Sequence, residues 1–229
     1  MLTVEQAAAR LGVSAQEVRR LVRTGTLPAE RVGRTLVLPE TAVDERARLP
    51  VAPGRVLSAP TAWATLWELS GEHAGWLSRS ARSRLDARLR TSDPDQVIAA
   101  VRDRADRHEL RVLPAYRNRV LAGDGVIASG VTAADAVRAD IVAPGAPAEV
   151  YCTGETLTAL AAAYGLSDRG EANLVVRVPR FDGLPLSGRR HMPSAVVAID
   201  LTESTDVRTR RAGLDLLTRA LATARRDAG

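Results

Sequence analysis

The stretch Ser14–Pro28, SAQEVRRLVRTGTLP, places three arginines and a glutamine within ten helix-forming residues and then stops at a glycine. At about 100° per residue in a helix, Ala15, Val18, Leu21 and Val22 fall on one arc, and Gln16, Arg19, Arg20 and Arg23 share the opposite one. Ser14 followed three residues later by Glu17 is a capping box, and Gly25 can take the left-handed conformation that closes a helix. The segment predicts a short two-faced helix with both ends specified. An arginine-rich helix standing alone reads as a solvated surface element, so its neighbours decide what it is for.

Upstream, LTVEQAAARLGVS predicts another short helix, with Thr3 and Gln6 as a capping pair, Val4, Ala7, Ala8 and Leu11 on its apolar side, and Gly12 at its end. Two short helices joined by the tight LGVS turn make a helix-turn-helix, in which the second helix lies in the major groove. Downstream, AERVGRTLVLP reads as two extended runs around Gly33-Arg34, a small hairpin or wing, and PETAVDERARL begins a further helix at Pro39.

This order of helix, turn, helix, wing and helix, carried by LTVEQAAARLGVSAQEVRRLVRTGTLPAERVGRTLVLPETAV, resembles the excisionase and MerR-type winged helix-turn-helix family. Leu21 and Val22 stand where that family often has an aromatic, and the wing is tight. The expected DNA-binding residues are Gln16, Arg19, Arg20 and Arg23 on the second helix, with Arg31 and Arg34 of the wing on flanking phosphates or the minor groove. Arginine suits bidentate contacts to guanine or phosphate.

With 229 residues and 45% apolar composition, the chain can build cores for two domains. No run approaches the roughly 20 apolar residues of a membrane span, and no charged segment with an apolar signal core opens the chain, so a cytoplasmic protein with no membrane partner is expected. The single cysteine, Cys152, has no Cys or His near it at a ligand spacing and is expected to be a small buried residue. All 32 cationic side chains other than histidines are arginine. Without lysine there is no Walker phosphate loop and no lysine-assisted metal nuclease site in the usual form. The net charge of +5 is modest but unevenly placed: residues 1–48 hold 8 arginines against 6 acids, 49–125 hold 12 against 9, and 126–229 hold 12 against 12. Placement, more than total charge, points to nucleic acid at the N-terminal end.

The Pro- and Gly-rich ARLPVAPGRVLSAP sets a boundary near residue 50. The fold class expected is α+β: a small winged helix-turn-helix head (1–48) followed by a larger mixed α/β part, divided into a mainly helical linker subdomain (49–125) and an α/β C-terminal interaction domain (126–229). In the former, TAWATLWELSG predicts a helix with Trp63, Leu66 and Trp67 on one side. Two further helices follow, broken at Asp93-Pro94, and then a strand at about Leu110 to Tyr116. The arginine-rich run Arg79 to Arg90 reads as a solvated face, with a second nucleic-acid contact as the alternative. After Gly125, AEVYC predicts a strand, GETLTALAAAYGL a helix, ANLVVRVPR a strand, SAVVAIDL a continuous apolar strand, and DVRTRRAGLDLLTRALATARRD a long terminal helix.

Asp200 and Glu203 are the best carboxylate pair for a metal site, though no histidine or lysine assists them and Glu203 equally fits the first turn of the last helix. His73, His108 and His191 are dispersed in polar or arginine-rich surroundings. There is no Gly-x-Ser-x-Gly elbow, Cys-His neighbourhood or glycine-rich dinucleotide fingerprint. No catalytic residue, metal or cofactor is expected, and the chain is not read as an enzyme.

Taken in order, VIASGVTAADAVRADIV, AEVYCTGETLTALAAAYGL, ANLVVRVP and SAVVAIDLTESTDVRTRRAGLDLL are similar to the C-terminal part of AbiEi-type antitoxins, the transcriptional-regulator partners of type IV toxin-antitoxin systems. The resemblance spans about residues 55–225. It implies an autoregulating repressor whose head binds repeats in double-stranded promoter DNA and whose C-terminal domain counters a nucleotidyltransferase-like toxin. A homodimer is the other partner expected. The alternative from another class is an excisionase-like DNA-recombination accessory protein, and a further one is a nucleic-acid-processing enzyme, for which no metal site can be assembled.

Overall fold

Helix α1 (Val4–Leu11) starts where it does because Thr3 and Gln6 cap it reciprocally: the Gln6 amide donates to Thr3 Oγ1 at 3.2 Å and the Thr3 amide donates to Gln6 Oε1 at 2.9 Å. The computed structural model describes residues 1–11, 13–23, 26–33, 35–48 and 56–227, without the side chains of Arg20, Arg23, Glu45, Arg48 and Asp227. The helix closure expected of Gly12 and Gly25 therefore lies outside the described residues. Two compact units result, Met1–Val51 and Ala52–Gly229.

In the first unit, strand β1 (Leu2–Thr3) precedes α1, and α2 (Ala15–Arg23), β2 (Glu30–Val32), β3 (Thr35–Leu38) and α3 (Glu40–Arg48) follow it. The expected wing is the β2–β3 hairpin, with Glu30 opposite Val37 and Val32 opposite Thr35. Its sheet has a third strand that the sequence did not announce: β1 pairs antiparallel with β3, Leu2 opposite Leu38. Val4, Ala7, Ala8 and Leu11 of α1 close on Val18 and Leu21 of α2, with Leu27, Leu38 and Val43 completing the core.

The second unit begins with α4 (Ala59–Leu69), α5 (Arg79–Thr91) and α6 (Pro94–Val101), then β4 (Ala105–Leu110), α7 (Pro114–Leu121) and β5 (Ile127–Ala128). After two short 3₁₀ turns come β6 (Ala148–Tyr151), α8 (Gly154–Tyr164), β7 (Leu174–Pro179), α9 (Ser194–Thr202) and α10 (Val207–Asp227). The sheet order is β4-β7-β6-β5, with β6 and β7 parallel across the α8 connection and both edge pairs antiparallel. Because β4 from the expected helical subdomain pairs along its whole length with β7, the boundary expected at residues 125 and 126 falls inside one compact unit.

Two elements differ from expectation. SAVVAIDL is not a strand but helix α9, every residue of which from Ala195 to Thr202 is buried. An apolar run without periodicity fits a fully enclosed helix as well as a strand. Here α10 lies so close that a Cβ on Gly213 would stand 2.6 Å from the Ala198 carbonyl oxygen. The strand expected at Leu110 to Tyr116 lies earlier, at Ala105–Leu110, and Pro114 instead starts α7, where its missing amide costs nothing. The core carries the expected tryptophans: Trp63 packs edge-on against Trp67 and against Tyr151, at 5.7 and 5.6 Å between centroids. Cys152 is buried, as expected, and burial pushes its thiol up to about 11.

Candidate nucleic-acid interface

Helix α2 is held by its apolar arc. Val18 and Leu21 are buried, Ala15 and Val22 are half-buried against the same core, and Ser14 Oγ accepts the Glu17 amide at 3.2 Å to start the first turn. That anchoring leaves Gln16 and Arg19 exposed on the other side. Arg20 and Arg23 belong to the same helix, but their side chains lie outside the description. Arg19 Nη2 is 3.2 Å from Glu5 Oε1, with the two side chains 56% and 69% exposed. Such a surface pair is worth at most about 1 kcal/mol, so a phosphate or a base edge can displace it.

On the wing, Arg31 is exposed and has no carboxylate within 4.0 Å among the described residues, while Arg34 lies outside them. Beside it stands Val32, 62% exposed at the hairpin tip before Gly33, whose φ of +62° permits the turn. Nothing in the sequence marks Val32 as exposed, because an alternating pattern does not say which of two faces is covered; its place at a wing tip suits contact with sugar and groove wall. Arg10 has a different role. Its Nε lies 2.7 Å from Asp44 Oδ1, tying α1 to α3.

The second unit gathers the expected carboxylate pair in another way. Arg104 is 2% exposed, and its Nη2 donates to Asp200 Oδ1 and, at 2.8 Å, to Glu203 Oε1. Arg177, equally buried, donates to Glu149 at 2.6 Å and to Glu203 at 2.9 Å, and its Nε lies 3.3 Å from Asp200. Tyr151 Oη and Ser129 Oγ also donate to Asp200. Asp200 lies within α9 and Glu203 at its C-terminal end, not in the first turn of α10. The pair thus neutralises two buried guanidinium groups brought in by β7 and by the turn before β4. Burial pushes the Glu203 carboxyl up, but Arg104 and Arg177 outweigh it and hold the group at about 2. No group of three or more metal-ligating side chains occurs among the described residues. Arg104 and Arg177 were missed as partners because they lie 96 and 23 residues from Asp200, and nothing local marks an arginine as buried.

The three histidines stay apart: His73 and His191 are exposed and His108 is half-buried on β4. No helix among the described residues is long and apolar enough to cross a membrane.

Comparison with protein families matches residues 1–48 to a helix-turn-helix domain. This is the span of α1, α2, the wing and α3, and the N-terminal unit is accordingly a helix-turn-helix domain, followed by a larger α/β domain. Neither curated proteins nor solved structures give a match.

Proposed function

We propose that the chain is a DNA-binding transcriptional regulator that reads duplex DNA with α2 in the major groove. The observation that carries this reading is the two-faced α2 of a helix-turn-helix domain, with Val18 and Leu21 locked in the core and Gln16 and Arg19 facing outward. Arg20 and Arg23 join these two as base- or phosphate-contacting residues, and Arg31 and Arg34 act from the wing. The α/β unit, whose 126–229 portion has as many acids as arginines, serves as a protein-contact domain.

In its finer form the proposal is an autoregulating antitoxin of a type IV toxin-antitoxin system. The strand and helix-start texture of residues 55–225 supports it, and the partner would be a nucleotidyltransferase-like toxin. The chain works by binding alone, without chemistry of its own. Incubated with labelled DNA, RNA and nucleotides in magnesium or manganese, it yields no turnover, and turnover that co-purifies with the chain would contradict this.

The test is a gel-shift titration of the DNA upstream of the chain's own gene. Arg19→Ala, Arg20→Ala and Arg23→Ala together abolish specific binding, at about 1–3 kcal/mol for each bidentate base contact. Unchanged affinity overturns the assignment. Coexpression with the neighbouring gene tests the finer form: rescue of toxicity supports the antitoxin, and an adjacent integrase with no toxicity supports a recombination accessory factor.

A further inference from the structure

The α/β unit holds a cavity of about 200 Å³ between α7, the 3₁₀ turn after β5, the segment around Ile141 and the start of β6. Leu121, Val131, Ile141 and Ala148 supply apolar side chains to its lining, and Arg117 and Thr132 the polar ones. Three described arginines bury an Nε without a hydrogen bond: Arg82, Arg117 and Arg177. Arg82 and Arg177 have carboxylate oxygens 3.2 and 3.3 Å from that nitrogen. Arg117 has no carboxylate within 4.0 Å among the described residues, and its only protein hydrogen bond there is a long one, 3.4 Å from Nη2 to the Ala146 carbonyl.

Arg117 is half-buried, with its Nε enclosed and no counter-charge beside it, an arrangement that an anion in the cavity would complete. The second polar group points to the same kind of ligand. Thr132 Oγ1 already accepts the Glu149 amide at 2.7 Å, so its hydroxyl proton is left to donate. Both polar side chains lining the cavity therefore have hydrogen-bond donors to offer, carrying one positive charge between them.

We propose that this cavity binds a small monocarboxylate with an apolar body, its carboxylate on Arg117 and Thr132 and its hydrocarbon against Leu121, Val131, Ile141 and Ala148. One guanidinium balances one negative charge, which favours a carboxylate over a doubly charged phosphate, and its planar fork matches a carboxylate in two-point contact. At about 30 Å³ for each water-sized group, 200 Å³ holds roughly seven heavy atoms, so an acid of pentanoate size sets the upper end of the range. This site is independent of the DNA-binding reading.

The test is isothermal titration calorimetry of the full chain with butyrate and pentanoate, against the neutral butanamide and pentanamide and against inorganic phosphate. At least one of the two acids binds, while its amide and phosphate bind at least tenfold more weakly. Arg117→Gln lowers acid affinity at least tenfold and, having no ion pair to break, leaves the melting temperature within a few degrees. Ala143→Phe fills the cavity from its loop wall and abolishes binding by steric exclusion. The proposal is overturned if neither acid binds at millimolar concentration, if an amide binds as tightly as its acid, or if both variants bind the acid like the parent chain.

Discussion

Arg104 is 2% exposed, and a bare guanidinium so placed would carry a desolvation cost of several kcal/mol. Asp200, Glu203 and Tyr151 offset that cost. Removing one side of such a buried pair is the expensive change, so Asp200→Ala is expected to cost about 3–5 kcal/mol in urea unfolding. A loss below about 1 kcal/mol would contradict the buried pairing. Glu203 adds a pH signature. Its carboxyl sits at about 2 in the fold, against an ordinary value of 4.5, so its contribution is complete above pH 4.5 and is lost as the pH falls toward 2. The slope this adds is at most about 1.4 kcal/mol per pH unit. Glu149 runs the other way: burial raises its carboxyl despite Arg177, so the folded chain takes up that proton more readily and recovers part of the loss. Unfolding midpoints measured between pH 2 and 5 should therefore fall with acid, and Glu203→Gln should flatten the fall. The carboxylates at 200 and 203 were visible in the sequence; their partners were not, because a metal and a pair of arginines satisfy acidic oxygens equally well and the arginines come from remote segments.

Helices α9 and α10 meet at Gly213, where an added methyl would stand 2.6 Å from the Ala198 carbonyl oxygen and 2.7 Å from the Thr202 amide nitrogen. Backbone atoms give way poorly, so Gly213→Ala should destabilise the α/β unit by about 1–3 kcal/mol despite the better helix propensity of alanine. Thermal unfolding checks this, and a rise in melting temperature would contradict the close approach. Elements with local signals were legible. Helices α1 and α2 follow from their capping residues and two-faced spacing, α5 and α6 from the break at Asp93-Pro94, and β7 from its β-branched run. Strand β4 was not, because its sequence ADRHEL places charged groups on both faces of a sheet edge and lacks an apolar alternation. Helix α9 was not, because full enclosure removes the periodicity that separates helix from strand.

Across the whole chain, a helix-turn-helix domain is followed by a larger unit whose C-terminal part has as many acids as arginines. One small head supplies few base contacts, and specific sites are typically read by dimers on half-sites about one helical turn apart. Cutting the chain near Pro53 and Gly54 should leave a head that binds promoter DNA weakly and a C-terminal half that binds a second copy or a protein partner. Tight promoter binding by the C-terminal half alone would contradict this division. The reading of DNA by α2 is tested by site selection with the full chain from a randomised duplex pool. The parent chain should enrich one motif. The variant carrying Arg19→Ala, Arg20→Ala and Arg23→Ala should enrich none, with circular dichroism unchanged. The same motif enriched equally by both proteins would contradict it.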